Sequence, residues 1–191
     1  MSRLAAVILA AGAGSRLGGI AKALLRRGEH SYLETVASLA RCAGAGELVV
    51  VVAEPHRQAV AAEAGRLGLD VAVNPAPERG MSSSVAAGFV HALDRFGADA
   101  ALLWPVDHPA VTPATLAALA GAAGDIRVPV HLGRGGHPTV FSRAIWPELA
   151  ACADLADGAR AVVRANPARV TRVEVTDPGV VADVDLPQDL P

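Results

Sequence analysis

After the first apolar run the chain reads Leu9-Ala10-Ala11-Gly12-Ala13-Gly14-Ser15-Arg16-Leu17-Gly18-Gly19-Ile20-Ala21-Lys22, small residues punctuated by two cations. Glycine and alanine let main-chain N–H groups close on a polyanion, and Arg16 and Lys22 supply countercharge, so the chemistry on offer is the cradling of a triphosphate. A solvated glycine-rich turn is the plain alternative. Two sharper alternatives fit less well. The G-x-G-x-x-x-G spacing is one residue too long for a dinucleotide-binding turn, and Glu54 lies far beyond the offset of about twenty residues at which the ribose-binding acid is expected. A Walker A loop needs G-K-[ST], whereas Lys22 stands between Ala21 and Ala23.

Two acids could complete such a site. Asp107 follows the apolar run 100–104, and Asp185 closes the shorter run 180–184. A carboxylate at the carboxyl end of a strand can hold Mg²⁺, a hard ion that takes one or two protein oxygens and leaves the rest of its shell to phosphates and water. It can equally cap a helix or shape a turn. Ser82, Ser83 and Ser84 stand where a helix should begin, and one of them is expected to cap it. His108 sits beside Asp107, and His137 stands in a glycine-rich stretch, where a lone histidine is more often structural or binding than catalytic.

The elements that must position these residues follow from periodicity. Runs at 6–9, 48–52, 71–73 and 100–104 are almost wholly apolar and are separated by Ala/Leu-rich stretches, the pattern of a parallel sheet covered on both faces. Helices are expected from Pro55 to Leu67, from about Ser82 through Val85, Phe89 and Leu93, and from Thr112-Pro113. The segment 131–141 mixes Gly133, Gly135, Gly136 and Pro138 and reads as a loop that could bind an acceptor. Trp104 and Trp146 read as core.

At 191 residues and 52% hydrophobic composition the chain is sized for one domain, 1–191. Seventeen Lys+Arg against nineteen Asp+Glu leave a net charge of -2, so no basic field exists to collect nucleic acid or an anionic membrane surface. Two cysteines without zinc spacing fit a reducing, cytoplasmic setting, and the apolar start is too short to span a membrane.

The segment 9–22 resembles the signature L-A-A-G-x-x-x-R-[ML]-G-[G]-x-x-K of the MobA-like nucleotidyltransferases, which include molybdenum cofactor cytidylyl- and guanylyltransferases. Four further blocks resemble the family in order. They are Asn74-Pro75 with Gly80-Met81-Ser82-Ser83-Ser84-Val85 and Gly88; Pro105-Val106-Asp107-His108-Pro109; Gly136-His137-Pro138 with Phe141; and Asp183-Val184-Asp185-Leu186-Pro187 with Asp189. The resemblance implies an α/β fold, a Rossmann-like three-layer α/β/α sandwich with a mostly parallel sheet. It implies transfer of a nucleotidyl group from an NTP to a phosphorylated small molecule. Leu9, Ala10, Ala11, Gly12, Ala13, Gly14, Ser15, Arg16, Lys22, Asn74, Gly80 and Ser84 would bind the nucleotide. Arg16, Lys22 and Asp107 would be catalytic, Asp107 and Asp185 would hold Mg²⁺, and Gly136, His137 and Pro138 would face the acceptor. Ala11, where guanylyl relatives typically carry Gly, and the Gly-Met-Ser-Ser-Ser stretch favour CTP, with molybdopterin as acceptor and a transient contact with a molybdoenzyme or its chaperone. The spacing from Arg16 to Lys22 leans toward the guanylyl branch, and Arg26-Arg27-Gly28-Glu29-His30-Ser31-Tyr32 departs from the usual family stretch, so a guanylyltransferase, or a sugar phosphate or other phosphorylated metabolite as acceptor, stays open. A non-catalytic nucleotide-binding module and a nicotinamide-dependent oxidoreductase are the alternatives from other classes.

Overall fold

A run such as Leu-Ala-Ala-Val-Ile-Leu has no polar face, so as a strand it must be covered on both sides. The computed structural model describes residues 3–14 and 18–184 and buries this run at the centre of a sheet. Along the chain, β1 (Leu4–Leu9) leads to a small hairpin, β2 (Arg26–Arg27) and β3 (His30–Ser31), then to α1 (Tyr32–Cys42), β4 (Ala45–Val52), α2 (Arg57–Arg66) and β5 (Asp70–Val73). There follow α3 (Met81–Arg95), β6 (Ala100–Pro105), α4 (Pro113–Gly121), β7 (Ile126–His131), β8 (Arg134–Gly135) and β9 (Thr139–Ser142). The last elements are α5 (Trp146–Ala150), α6 (Ala159–Ala165) and β10 (Val170–Glu174).

Eight strands form one sheet in the order β10-β7-β9-β6-β1-β4-β5, with β8 paired to β7. The pairs β1/β4, β1/β6, β4/β5 and β10/β7 are parallel, and β9 runs antiparallel to both its neighbours. Alternate residues feed two cores. Ala6, Ile8, Val50, Val52, Leu102 and Trp104 pack with α1 and α4 on one face. Val7, Leu9, Val49, Val51 and Leu103 pack with Val85 and Phe89 of α3 and Trp146 of α5 on the other. The result is the expected helix, sheet, helix sandwich, with both tryptophans in its core. Gly88 lets α3 lie close to the sheet: a Cβ there would stand 2.4 Å from Val7 Cγ1 and 2.9 Å from Val51 Cγ2.

Several boundaries differ from the sequence reading. Pro55 lies in a turn, and α2 begins only at Arg57. Helix α3 begins at Met81 with Gly80 as its cap residue, so the serines occupy its first turn and none of them is the cap. The segment read as a loop after Pro129 contains the end of β7, β8 and β9. Pro129 is tolerated inside β7, where its carbonyl accepts from Gly136 N at 2.8 Å. The run 180–184 is not a strand: a 3₁₀ turn at Pro178–Val180 is followed by irregular backbone, because Asp177 fixes the turn through Gly179 N at 2.9 Å. Among the described residues no helix is long and apolar enough to cross a membrane.

The face carrying α1 and α2 is tied by a polar network. Ser31 caps α1 by accepting from Glu34 N and donates its own hydroxyl to Glu63 at 2.7 Å. Arg66 donates to Glu63 through Nε at 2.9 Å and Nη2 at 3.0 Å. That guanidinium, helped by Ser31 and opposed by partial burial, holds the Glu63 carboxyl at about 2 instead of 4.5. A carboxyl whose folded value is depressed stabilises the protein above its unfolded value and loses that contribution as pH falls. Chemical unfolding should therefore show Glu63→Gln less stable than the parent at pH 7, with the gap closing as pH drops from 4.5 toward 2. A gap that stays constant over that window would show that ionised Glu63 contributes nothing.

Candidate nucleotide site

The winding of the sheet decides where a ligand can sit. From β1 the chain builds outward through β4 to β5, then crosses back to begin the other flank with β6, so β1 and β6 border the switch point. Crevices in open α/β sheets lie outside the carboxyl ends of the strands at that point. The glycine-rich segment leaves β1 there, and Asp107 lies two residues beyond β6. Main-chain bonds fix both exits: Ala10 N donates to Val51 O at 2.9 Å, and Val106 N to Leu9 O at 3.0 Å.

Leu9 and Ala10 are buried, Ala11 is half-buried, and Gly12 and Ala13 are exposed, so backbone turns outward just past the strand. Gly14 has φ +63, and a Cβ there would stand 1.9 Å from Ile20 O, so only glycine closes this turn. Gly19 N donates to Gly14 O at 2.9 Å, bringing the far limb of the loop back. The ring of His56, which follows β4, has Nε2 3.2 Å from Ala13 O and braces the loop from the side. Ser15 and Arg16 lie outside the described residues.

Lys22 opens a short 3₁₀ turn, and its Nζ reaches Asp107 Oδ2 at 2.9 Å across 85 positions of sequence. Both side chains are mostly shielded, with 17% and 21% of their surface exposed. The other carboxylate oxygen, Oδ1, is buried and has no hydrogen-bond partner. An orphaned anionic oxygen is costly unless something positive meets it. Beside the glycine-rich loop this donor fits a hard divalent cation. Among the described residues no three of His, Cys, Asp or Glu cluster as a metal site. Val184 N donates to Asp107 O at 3.0 Å, so the returning chain is pinned on Asp107 just before Asp185, which lies outside the described residues.

Asn74 follows β5 and is buried. Its amide donates to Ser83 and Ser84 hydroxyls, both at 2.9 Å, while its carbonyl accepts from Ala76 N at 3.0 Å. The Ser84 hydroxyl is therefore engaged in holding the turn. What the turn leaves for a ligand is backbone: Gly80 has φ 85, no side-chain cap is present, and first-turn N–H groups of α3 have no intrahelical acceptor.

Gly136, His137 and Pro138 lie before β9, close to the 3₁₀ turn Pro178–Val180. His137 N donates to Val180 O at 2.8 Å, and a Cβ on Gly136 would stand 2.2 Å from the same oxygen. The His137 ring lies 5.0 Å from that of His108, whose Nδ1 is 3.2 Å from Ala182 O. Burial, then the charges of His108 and Arg160, push His137 down to about 3 despite the Leu103 carbonyl, so the ring is neutral near pH 7. Its Nδ1 is buried without a partner.

Asp177 is the supporting residue that sequence reasoning missed. It is buried and accepts from Thr112 N at 2.7 Å, Thr112 Oγ1 at 2.8 Å, Thr115 Oγ1 at 2.7 Å and Gly179 N at 2.9 Å. Burial alone would raise its carboxyl, but these donors outweigh it and the value is lowered. The Asp-Pro pair at 177–178, a turn signal, was the available clue.

The model of the MobA-like NTP transferase domain matches residues 6–171. The nicotine blue oxidoreductase of Paenarthrobacter nicotinovorans is 31% identical over 96% of this chain and 93% of its own length. The phosphoenolpyruvate guanylyltransferase of Thermomonospora curvata is 35% identical over 82% of this chain and 66% of its own. Rv0371c from Mycobacterium tuberculosis H37Rv superposes with a TM-score of 0.80 at 29% identity, covering 98% of this chain and 95% of that one. Its complex with manganese superposes at 0.72, with 26% identity over 98% and 96% of the two chains. With most of its length matched by the family model and its glycine-rich loop facing Asp107 at the switch point, the chain belongs to the MobA-like NTP transferase family.

Proposed function

We propose that residues 1–191 form a single nucleotidyltransferase domain that transfers CMP from CTP to a phosphorylated small-molecule acceptor, with molybdopterin as the favoured acceptor, and releases pyrophosphate. The observation that carries this reading is the Lys22–Asp107 pair, with its orphaned carboxylate oxygen, beside the glycine-rich loop. Loop residues 9–15 wrap the triphosphate, Arg16 neutralises its pyrophosphate portion, and the turn of Asn74, Gly80 and Ser84 borders base and ribose. Asp107 and Asp185 hold Mg²⁺, a choice the manganese complex of a similar protein supports at the level of a divalent cation. Bound there, the ion neutralises phosphate charge and fixes the triphosphate's geometry.

The chain's own residues then do the positioning. The acceptor lies against Gly136, His137 and Pro138 and presents its phosphate oxygen in line with the α-phosphorus. The acceptor oxygen bonds to that phosphorus as the bond to the β-phosphate oxygen breaks, and pyrophosphate leaves with the electron pair. A phosphate monoester is largely ionised near neutral pH, so no general base is needed. Lys22 turns from Asp107 toward the charge that builds on the α-phosphate. The reading carries a cytoplasmic setting, no nucleic acid or membrane partner, and product handed to a molybdoenzyme or its chaperone.

A guanylyl variant of the same reaction has the 35% identical Thermomonospora protein behind it, and an oxidoreductase reading has the 31% identical Paenarthrobacter protein. One experiment separates the three. Melting temperature is measured with CTP, GTP, ATP, UTP, NADH and NADPH, with and without Mg²⁺, since a ligand that binds only the folded state raises it by mass action. A selective, Mg²⁺-dependent rise with CTP is expected. A rise with GTP alone moves the donor to the guanylyl branch, and a rise confined to a nicotinamide nucleotide overturns the transferase reading.

A further inference from the structure

Where the glycine-rich loop turns outward, the peptide between Ala13 and Gly14 decides which main-chain group faces the crevice. Across a trans peptide the carbonyl and the following N–H point in opposite directions, so whatever holds Ala13 O also aims Gly14 N–H. His56 holds it: its Nε2 lies 3.2 Å from Ala13 O, and because a carbonyl only accepts, that nitrogen donates. His56 follows β4, and β1 lies between β4 and β6 in the sheet. With Ala13 O drawn toward the β4 flank, Gly14 N–H is turned the other way, toward the β6 flank that carries Asp107. Among the described residues no main-chain acceptor takes that N–H.

The peptide needs such a hold. Gly14 has φ +63 with Ile20 O where a Cβ would be, so the position must be glycine. Glycine is also the residue that passes most readily between positive and negative φ, so its own backbone does little to keep the peptide from turning over. A turned peptide would present Ala13 O to the phosphates in place of an N–H, which repels an anion instead of binding it. The partner is itself fixed. His56 O accepts from the buried Val60 N at 3.0 Å at the start of α2, so the ring is mounted on a helix rather than on a second loop. The bond to Ala13 is exposed, so its loss should cost the fold little.

We propose that His56 is a positioning residue for the nucleotide: by holding the Ala13 carbonyl it keeps Gly14 N–H turned toward the triphosphate, without touching the substrate itself. This rests on the transferase reading above. It adds to that reading a residue from the β4–α2 connection, outside every block that resembles the family.

The test uses the full chain, Mg²⁺, and the α,β-methylene analogues of CTP and GTP, which fill the nucleotide's phosphate positions without turning over. His56→Ala removes the ring, His56→Phe keeps a ring without a donor, and His56→Gln offers an amide N–H at similar reach. Calorimetric titration with whichever analogue the native chain binds should show His56→Ala and His56→Phe roughly three- to tenfold weaker, the size of one hydrogen bond, and His56→Gln close to native. In ¹⁵N-labelled protein the Gly14 amide proton should move downfield at saturation in the native and His56→Gln chains, and clearly less in the other two. Equal analogue affinity in His56→Ala, recovery by His56→Phe, no recovery by His56→Gln, a Gly14 proton that stays put in the native chain, or affinity losses that simply track melting temperature overturn the assignment while the transferase reading stands. Failure of the native chain to bind either analogue ends both.

Discussion

Lys22→Ala should transfer nucleotide at least about a hundredfold more slowly than the native chain, the size of loss seen when one preorganised charge contact to a developing anion is removed. In the resting site the ammonium lies 2.9 Å from Asp107 Oδ2. On the proposed mechanism its removal takes a positive charge from the α-phosphate and also leaves the Asp107 carboxylate uncompensated where the triphosphate would dock. The first effect belongs to the transition state and appears in kcat; the second weakens NTP binding and appears in KM. Asp107→Asn should fall as far, because the orphaned Oδ1 loses its charge. Pyrophosphate release by each purified variant, with circular dichroism to confirm folding, is the measurement. Near-native turnover by either folded variant removes its residue from the proposed machinery.

Asp177→Ala should destabilise the fold by about 3 kcal/mol, because it strands two backbone N–H groups and two threonine hydroxyls that the carboxylate now satisfies. For a chain of this size that corresponds to a fall in melting temperature of roughly 6–12 °C. The loss should also reach function. Asp177 fixes the turn whose Val180 carbonyl receives His137 N, so loosening it blurs the proposed acceptor side while the glycine-rich loop keeps its own anchors on Val51 and Leu9. Acceptor KM should rise well before NTP affinity changes. A variant that melts within about 1 °C of the native chain would show that the network carries no net stability.

The sequence announced what depends on short-range pattern and hid what depends on distant contact. The three buried strands β1, β4 and β6 were readable because a strand covered on both faces must be apolar throughout, and Ala5 to Leu9 or Val49 to Val52 can be nothing else, while the short run 71–73 marked the edge strand β5. The loop from Leu9 to Lys22 was readable because few other folds need so many small residues with two cations. By contrast β9 and β10 were missed. The glycines before β9 and the proline inside β7 break the local pattern, and β10 sets only two valines among Thr171, Arg172 and Glu174, too few apolar residues to show as a strand. The serines misled for a related reason. Their type suits a cap, yet Gly80 takes that position and Asn74 uses two of the hydroxyls to brace the turn. Asp177 was invisible because its worth lies in Thr112 and Thr115, more than sixty positions away.

Strand β6 lies between the parallel flank and reversed β9, and its end sets Asp107 against Lys22 and His108 against His137 in adjacent positions, the two sides of the proposed pocket. The two halves of the pocket thus share one short stretch of backbone. In a lineage drifting toward a new donor or a new acceptor, this stretch is the one least free to vary, since any shift that suits one substrate disturbs the other. Novelty should accumulate on the outlying flanks instead, at the turn after β5 and in the stretch leading into β9, where each side can be retuned without the other noticing.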